Sequence, residues 1–112
     1  MRKGVEQLET ENLNIITSKI QQWAKDRNLH TADPNKQMLK LMEEVGELAQ
    51  GLAKTNEKQI VDAIGDVYVV LTILSMQLEF DISECIEYAY DEIKDRKGQM
   101  VNGVFVKESD LM

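Results

Sequence analysis

The chain is poor in the residues that most often anchor the chemistry of a small protein. Its 112 residues include one cysteine, one histidine, one proline and one tryptophan. With Cys85 alone, an intrachain disulfide is excluded, and a reducing, cytoplasmic location is expected. His30 alone cannot build a His-based zinc or iron site. No Glu-x-x-His motif occurs, which excludes a di-iron carboxylate bundle, and the alternating acids of an EF-hand loop are also missing. Basic residues are outnumbered, 13 Lys and Arg against 20 Asp and Glu, for a formal net charge of −7. A broad phosphate-binding surface is therefore absent, and no nucleic-acid partner is expected. The start of the chain, MRKGVEQLETEN, lacks an apolar run of signal-peptide type. Residues 60–78 form the one membrane suspect, but Asp62 and Asp66 interrupt them, so a buried helix is expected and no membrane partner.

What is present is apolar periodicity of helical type. A first helix is expected over about 5–28, with Leu13, Ile16, Ile20 and Trp23 on one face. Asp33 followed by Pro34 reads as an N-cap with proline at the first helical position, opening a second helix over 34–54. Its stripe is Met38, Leu41, Val45, Leu48 and Leu52, while Lys40, Glu43, Glu44 and Glu47 fall mostly opposite. Taken alone, those acids make an ordinary solvated face. A third helix over 56–79, capped by Thr55 or Asn56, is apolar nearly all round and should lie centrally. Asp62 and Asp66 sit in line with its Val69 and Ile73, where a carboxylate is costly unless paired or metal-bound. The helix dipole at the first turn accounts well for Asp62 and less well for Asp66.

Gly46 and Gly65 stand beside the acids, and a glycine within a helix costs about 1 kcal/mol relative to alanine. A close approach of the two helices at these glycines is the expectation. A fourth helix over about 82–97 follows Asp81, which has capping-box spacing to Glu84. Ile82, Ile86, Ala89 and Ile93 should face inward, Lys94, Arg96 and Lys97 should occupy the last turn, and Gly98 should end the helix. Asn102-Gly103 between apolar residues signals a hairpin or arm over about 99–107. The expected fold is all-α, a single four-helix bundle-like domain completed by dimerisation, with a short C-terminal hairpin or arm.

If the second and third helices pack side by side, Glu43, Glu44, Glu47, Asp62 and Asp66 can face one another. A set of oxygen ligands suits a hard cation such as Mg²⁺, which also binds substrate phosphates. Lys40, Lys94 and Arg96 can hold phosphate oxygens. Lys40 equally suits an intrahelical ion pair, and the C-terminal cations equally suit the helix dipole. Trp23 can stack on a base or simply belong to the core.

The run QMLKLMEEVGEL from Gln37 to Leu48, followed by Ile64-Gly65-Asp66-Val67, resembles the MazG-like nucleotide pyrophosphohydrolases of the all-α NTP pyrophosphatase superfamily. Their signature is Glu-Glu-x-x-Glu, a spacer, then Glu-x-x-Asp. The resemblance runs from about residue 34 to 107, and the strings DEIKDRKG and VNGVFV look like a phage or bacterial branch. It implies an Mg²⁺-dependent enzyme, with Mn²⁺ able to substitute, that hydrolyses NTP or dNTP to the monophosphate and pyrophosphate. It also implies a homodimer or homotetramer. By matching motif positions, Glu44 and Glu47 are metal ligands and Asp66 is the aspartate of the second motif. Glu43 is the leading acid, backing a ligand or serving as base. Ala63 stands where the motif has glutamate, and Asp62, one residue earlier, is expected to replace it as a ligand. The alternative is a non-catalytic helical module that keeps the fold and binds a nucleotide or a protein partner.

Overall fold

The computed structural model describes residues 10–111. Four helices appear in order: α1 (Leu13–Asp26), α2 (Pro34–Lys54), α3 (Glu57–Gln77) and α4 (Ile82–Ile93). A 3₁₀ turn (Leu29–Thr31) joins α1 to α2, and an antiparallel pair, β1 (Gly98–Val101) and β2 (Val104–Lys107), follows α4. The fold is all-α with a short C-terminal hairpin. Local chemistry sets the helix starts. Asn12 accepts from the Asn14 N–H at 2.8 Å and opens α1, so the helix begins later than the periodicity predicts; residues 5–9 of the expected span lie outside the described residues. Asp33 accepts from the Asn35 N–H at 2.9 Å with Pro34 as the first helical residue. Asn56 caps α3 by accepting from the Gln59 N–H at 3.2 Å.

The chain divides into two compact units, one ending at Ile82 and the other starting at Ser83. In the first, α2 and α3 form a tight helical hairpin. Thr55 takes a left-handed φ of 52°, ending α2, and Asn56 immediately starts α3. Close contact is set at Gly51, where a Cβ would lie 3.2 Å from Gln59 Cγ and from Ile60 Cγ1. Counting back by sevens from Gly51 along α2 gives Glu44 and Gln37, and all three are buried. Leu41 and Leu48, half-buried, fill the alternate steps of this seam. The result is a rotation of α2 relative to the expected stripe. Met38, Val45 and Leu52 are about half exposed, and Glu44, expected on the wet side, is only 5% exposed.

The core of this unit is Ala24, Ile60, Ala63, Val70, Ile73 and Ile82. Four of the six belong to α3, which packs against α1, α2 and the 3₁₀ turn. Across α1 and α3, Thr17 Oγ1 and Tyr68 OH share a hydrogen bond of 2.7 Å. Among the described residues α3 is the one helix long and apolar enough to cross a membrane by length and composition. In this fold it is the central helix of the unit. Its coverage is incomplete, since Val61, Ile64 and Leu78 remain exposed, as do Leu39 and Met42 of α2. The expected close approach at Gly46 and Gly65 is not found among the described residues. Both face outward, and a Cβ at either would meet none of those residues within 4 Å.

In the second unit α4 ends at Ile93, so Lys94, Arg96 and Lys97 follow the helix and do not form its last turn. Ile86 and Ile93, expected to face inward, are about half exposed. Gly98 serves the hairpin: it pairs with Lys107, and a Cβ there would run into the Val106 carbonyl and the Phe105 ring. Asn102 and Gly103, with φ of 51° and 82°, supply the two left-handed residues that a two-residue hairpin turn demands. Replacing Asn56 with alanine is expected to lower unfolding free energy by about 1 kcal/mol through loss of the α3 cap. Urea denaturation followed by circular dichroism measures this directly.

Candidate metal and phosphate site

The seam that buries Glu44 also decides what it meets. Antiparallel pairing of α2 and α3 brings Glu44 opposite Asp66, and Glu47, three residues after Glu44, lies one turn away on the same face. One carboxylate oxygen from each of Glu44, Glu47 and Asp66 lies within 4.8 Å of the others. Glu44 is buried, Asp66 half-buried and Glu47 exposed, so the group forms a rim that is closed below and open above.

These acids are short of positive charge. Lys40 Nζ lies 3.4 Å from Glu44 Oε1 and 3.7 Å from Glu43. The charge of Glu43, followed by the hydrogen bond and charge of Glu44, raises the Lys40 pKa. The second oxygen of Glu44, Oε2, is buried and has no hydrogen-bond partner among the described residues. Burial pushes the Asp66 carboxyl above its usual range, and the neighbouring charges of Asp62 and Glu44 push it further. Hydrogen bonds to Glu44 and Asp62 also favour its protonated form. A buried orphan oxygen and a carboxyl that resists ionisation are what oxygen ligands show when no cation shares their charge. The three residues therefore fit a hard divalent cation.

Beside the acids opens a cavity of about 600 Å³. Lys40, Glu44 and Asp66 line one end, and Trp23, Leu29, Lys36, Val69, Ile73 and Gln77 are among the residues that line the rest. Trp23 is 45% exposed, so it is a wall of this cavity and not a core residue. The Arg27 guanidinium covers its ring at 4.2 Å from the centroid.

The structure thus brings together Glu44, Glu47 and Asp66, with Lys40 beside them and Trp23 on the adjoining cavity. Asp62 is exposed and within hydrogen-bonding reach of Asp66, but it is not one of the three clustered oxygens. Glu43 is exposed and turned toward Lys40. Ala63 is packed into the core at 2% exposure. Lys94 and Arg96 belong to the second unit, where Lys94 is held by Asp91 at 3.2 Å. Among the polar residues of the cavity, Lys36, Gln37 and Gln77 escaped the sequence reading as site candidates. A signal for the two glutamines existed: Gln37 is one heptad before Glu44, and Gln77 is a polar residue on the Asp66 face of an otherwise apolar helix.

Comparison with known proteins points the same way. The sequence profile of the MazG nucleotide pyrophosphohydrolase domain matches residues 32–101, more than half of the chain. A protein of Haemophilus phage HP1, described as an uncharacterized 18.2 kDa protein in the rep-hol intergenic region, is 48% identical over 71 residues. That stretch is 62% of this chain and 44% of the phage protein, so the chain spans less than half of that relative. No solved structure matches.

The raised Asp66 pKa gives a signed expectation. Its contribution to stability is full below the unfolded-state value and is lost as pH rises through the raised folded-state value. Metal-free protein should therefore gain stability when acidified through that window, and Asp66→Asn should melt higher than wild type at neutral pH. Mg²⁺ should raise the melting temperature of wild type and leave that of the variant nearly unchanged, as differential scanning calorimetry would register.

Proposed function

Because the chain belongs to the MazG nucleotide pyrophosphohydrolase domain family, we propose that it is an Mg²⁺-dependent nucleoside triphosphate pyrophosphohydrolase. It would convert NTP or dNTP and water to the monophosphate and pyrophosphate. The observation that carries this reading is the Glu44, Glu47 and Asp66 cluster at one end of a cavity, with its orphan oxygen and its reluctant carboxyl. Mg²⁺, or Mn²⁺ in its place, supplies charge neutralisation at the phosphates and a more acidic water. Glu44, Glu47 and Asp66 would hold it, and Asp62 would support it directly or through water. The cation would screen Asp66 from its acidic neighbours and so favour its charged form.

Glu43, exposed beside the cluster, is the candidate base that receives a proton from the attacking water. The water oxygen forms a bond to the α-phosphorus, the bond from that phosphorus to the bridging oxygen breaks, and pyrophosphate leaves with the electron pair. Lys40 would exchange its carboxylate partners for phosphate oxygens. Trp23 would present its ring to the base. The buried Ala63 favours a second reading, in which the missing signature acid leaves a non-catalytic module that binds nucleotide or a protein partner.

A homodimer or homotetramer is the proposed assembly, in the cytoplasm and without a membrane or nucleic-acid partner. Met42, Val45, Val61 and Ile64 leave an apolar surface on α2 and α3, and the outward Gly46 and Gly65 permit close approach from another chain. Light scattering is expected to give at least twice the monomer mass.

Catalysis is tested by pyrophosphate release from triphosphates with Mg²⁺. Glu47→Gln and Asp66→Asn, if folded, should each lose roughly 100-fold in kcat, the scale of removing one preorganised electrostatic group. Persistent turnover in both would reject the cluster as the site. Metal-dependent nucleotide affinity in wild type without turnover would favour the non-catalytic module.

A further inference from the structure

We infer that Gln77 determines base specificity. Its side-chain carbonyl accepts a hydrogen bond from an exocyclic amine, so the chain selects adenine and cytosine nucleotides over their keto counterparts. The inference rests on the pyrophosphohydrolase reading for the position of the phosphates.

Gln77 ends α3 and lines the cavity that Glu44 and Asp66 also line. It comes eleven residues after Asp66. At about 100° and 1.5 Å per residue, that places it on nearly the same face and roughly 16 Å further along the axis. A nucleotide whose phosphate sits at the acids and whose sugar and base extend along the groove brings the base to this end. Val69, Ile73 and Trp23 supply apolar walls between.

The orientation of the amide is determined by its partner. Gln77 Nε2 donates to the Leu29 carbonyl at 3.0 Å, and a carbonyl can only accept, so the amide cannot be flipped without losing that bond. Oε1 is left as the other end, buried and without a hydrogen-bond partner among the described residues. A buried acceptor with no donor has lost its bonds to water and gained nothing in return. Gln37 also turns its N–H onto the α3 backbone, toward the Val70 carbonyl at 3.5 Å. Both amides thus direct a donor at backbone, and Gln77 leaves an acceptor unmet.

An amine on the base meets that acceptor. A keto oxygen in the same place would face another oxygen with no proton between them. Seating the amine needs a side-chain adjustment of the kind common on binding.

The test compares CTP with UTP and ATP with ITP, pairs that differ by amine against carbonyl at one ring position, using the full chain with Mg²⁺. Calorimetry with CMP and UMP reads binding apart from turnover. About a tenfold preference for the amine partner in kcat/KM and in Kd is expected, with the ratio falling near one in Gln77→Met, which keeps length but lacks the acceptor. Should that variant fail to fold, the side-chain amide resonance of Gln77 in wild type decides: a shift with CMP and none with UMP supports the inference, and equal shifts overturn it. Equal turnover and binding within the pairs, as expected if water is the only partner of Oε1, overturns it. So does a preference retained in folded Gln77→Met. Turnover without amine selectivity rejects this inference alone, whereas amine-selective monophosphate binding without turnover rejects the hydrolase and leaves Gln77 in its role.

Discussion

The close contact of α2 with the start of α3 at Gly51 is the constraint on which the site depends. One absent side chain lets Gln59 and Ile60 approach the α2 backbone, and the heptad geometry of the hairpin propagates from that point. Seven residues back, it presses Glu44 between the helices; fourteen back, it does the same to Gln37. A bulkier residue at this position would move the helices apart and let Glu44 hydrate. The unusual electrostatics of the acids are thus a consequence of packing, set about two turns away from them.

The same constraint explains which parts of the fold were legible. Asp33-Pro34, Asn56 and Asn102-Gly103 each act on neighbours within three residues, and each does in the structure what its local chemistry demands. The rotation of α2 was not legible. Its apolar residues form a band wide enough to face two directions, and choosing between them requires knowing where the partner helix approaches closest. Gly46 and Gly65 drew attention because they flank the acids, yet Gly51, three turns from Leu41 and unaccompanied by chemistry, carries the contact. The stripe of α4 was visible as a pattern, but periodicity says that a face is apolar and not what covers it.

For the site, Asp66 was legible as a polar residue on an apolar helix, and its meeting with Glu44 and Glu47 follows once the two helices pair. Trp23 could be read from the sequence as a core residue or as a ring that stacks on a base, and its exposure puts it on the cavity wall. The position of Gln77 on the Asp66 face was legible, but its chemical role was not. An amide looks neutral in any sequence reading, and its chemical polarity as acceptor or donor exists only once a neighbour such as the Leu29 carbonyl has claimed one end.

The short link at Thr55 and Asn56 has a consequence for how the molecule comes to be. Glu44 and Asp66 are only twenty-two positions apart, and most of that separation is helix folding back on itself through a two-residue turn. The closure entropy of such a loop is small, and helical hairpins dominated by local contacts assemble rapidly. The carboxylates therefore meet early, while neighbouring segments are still unformed. A cation present during synthesis would find its ligands before the chain was complete, and would act on the order of folding as well as on its outcome.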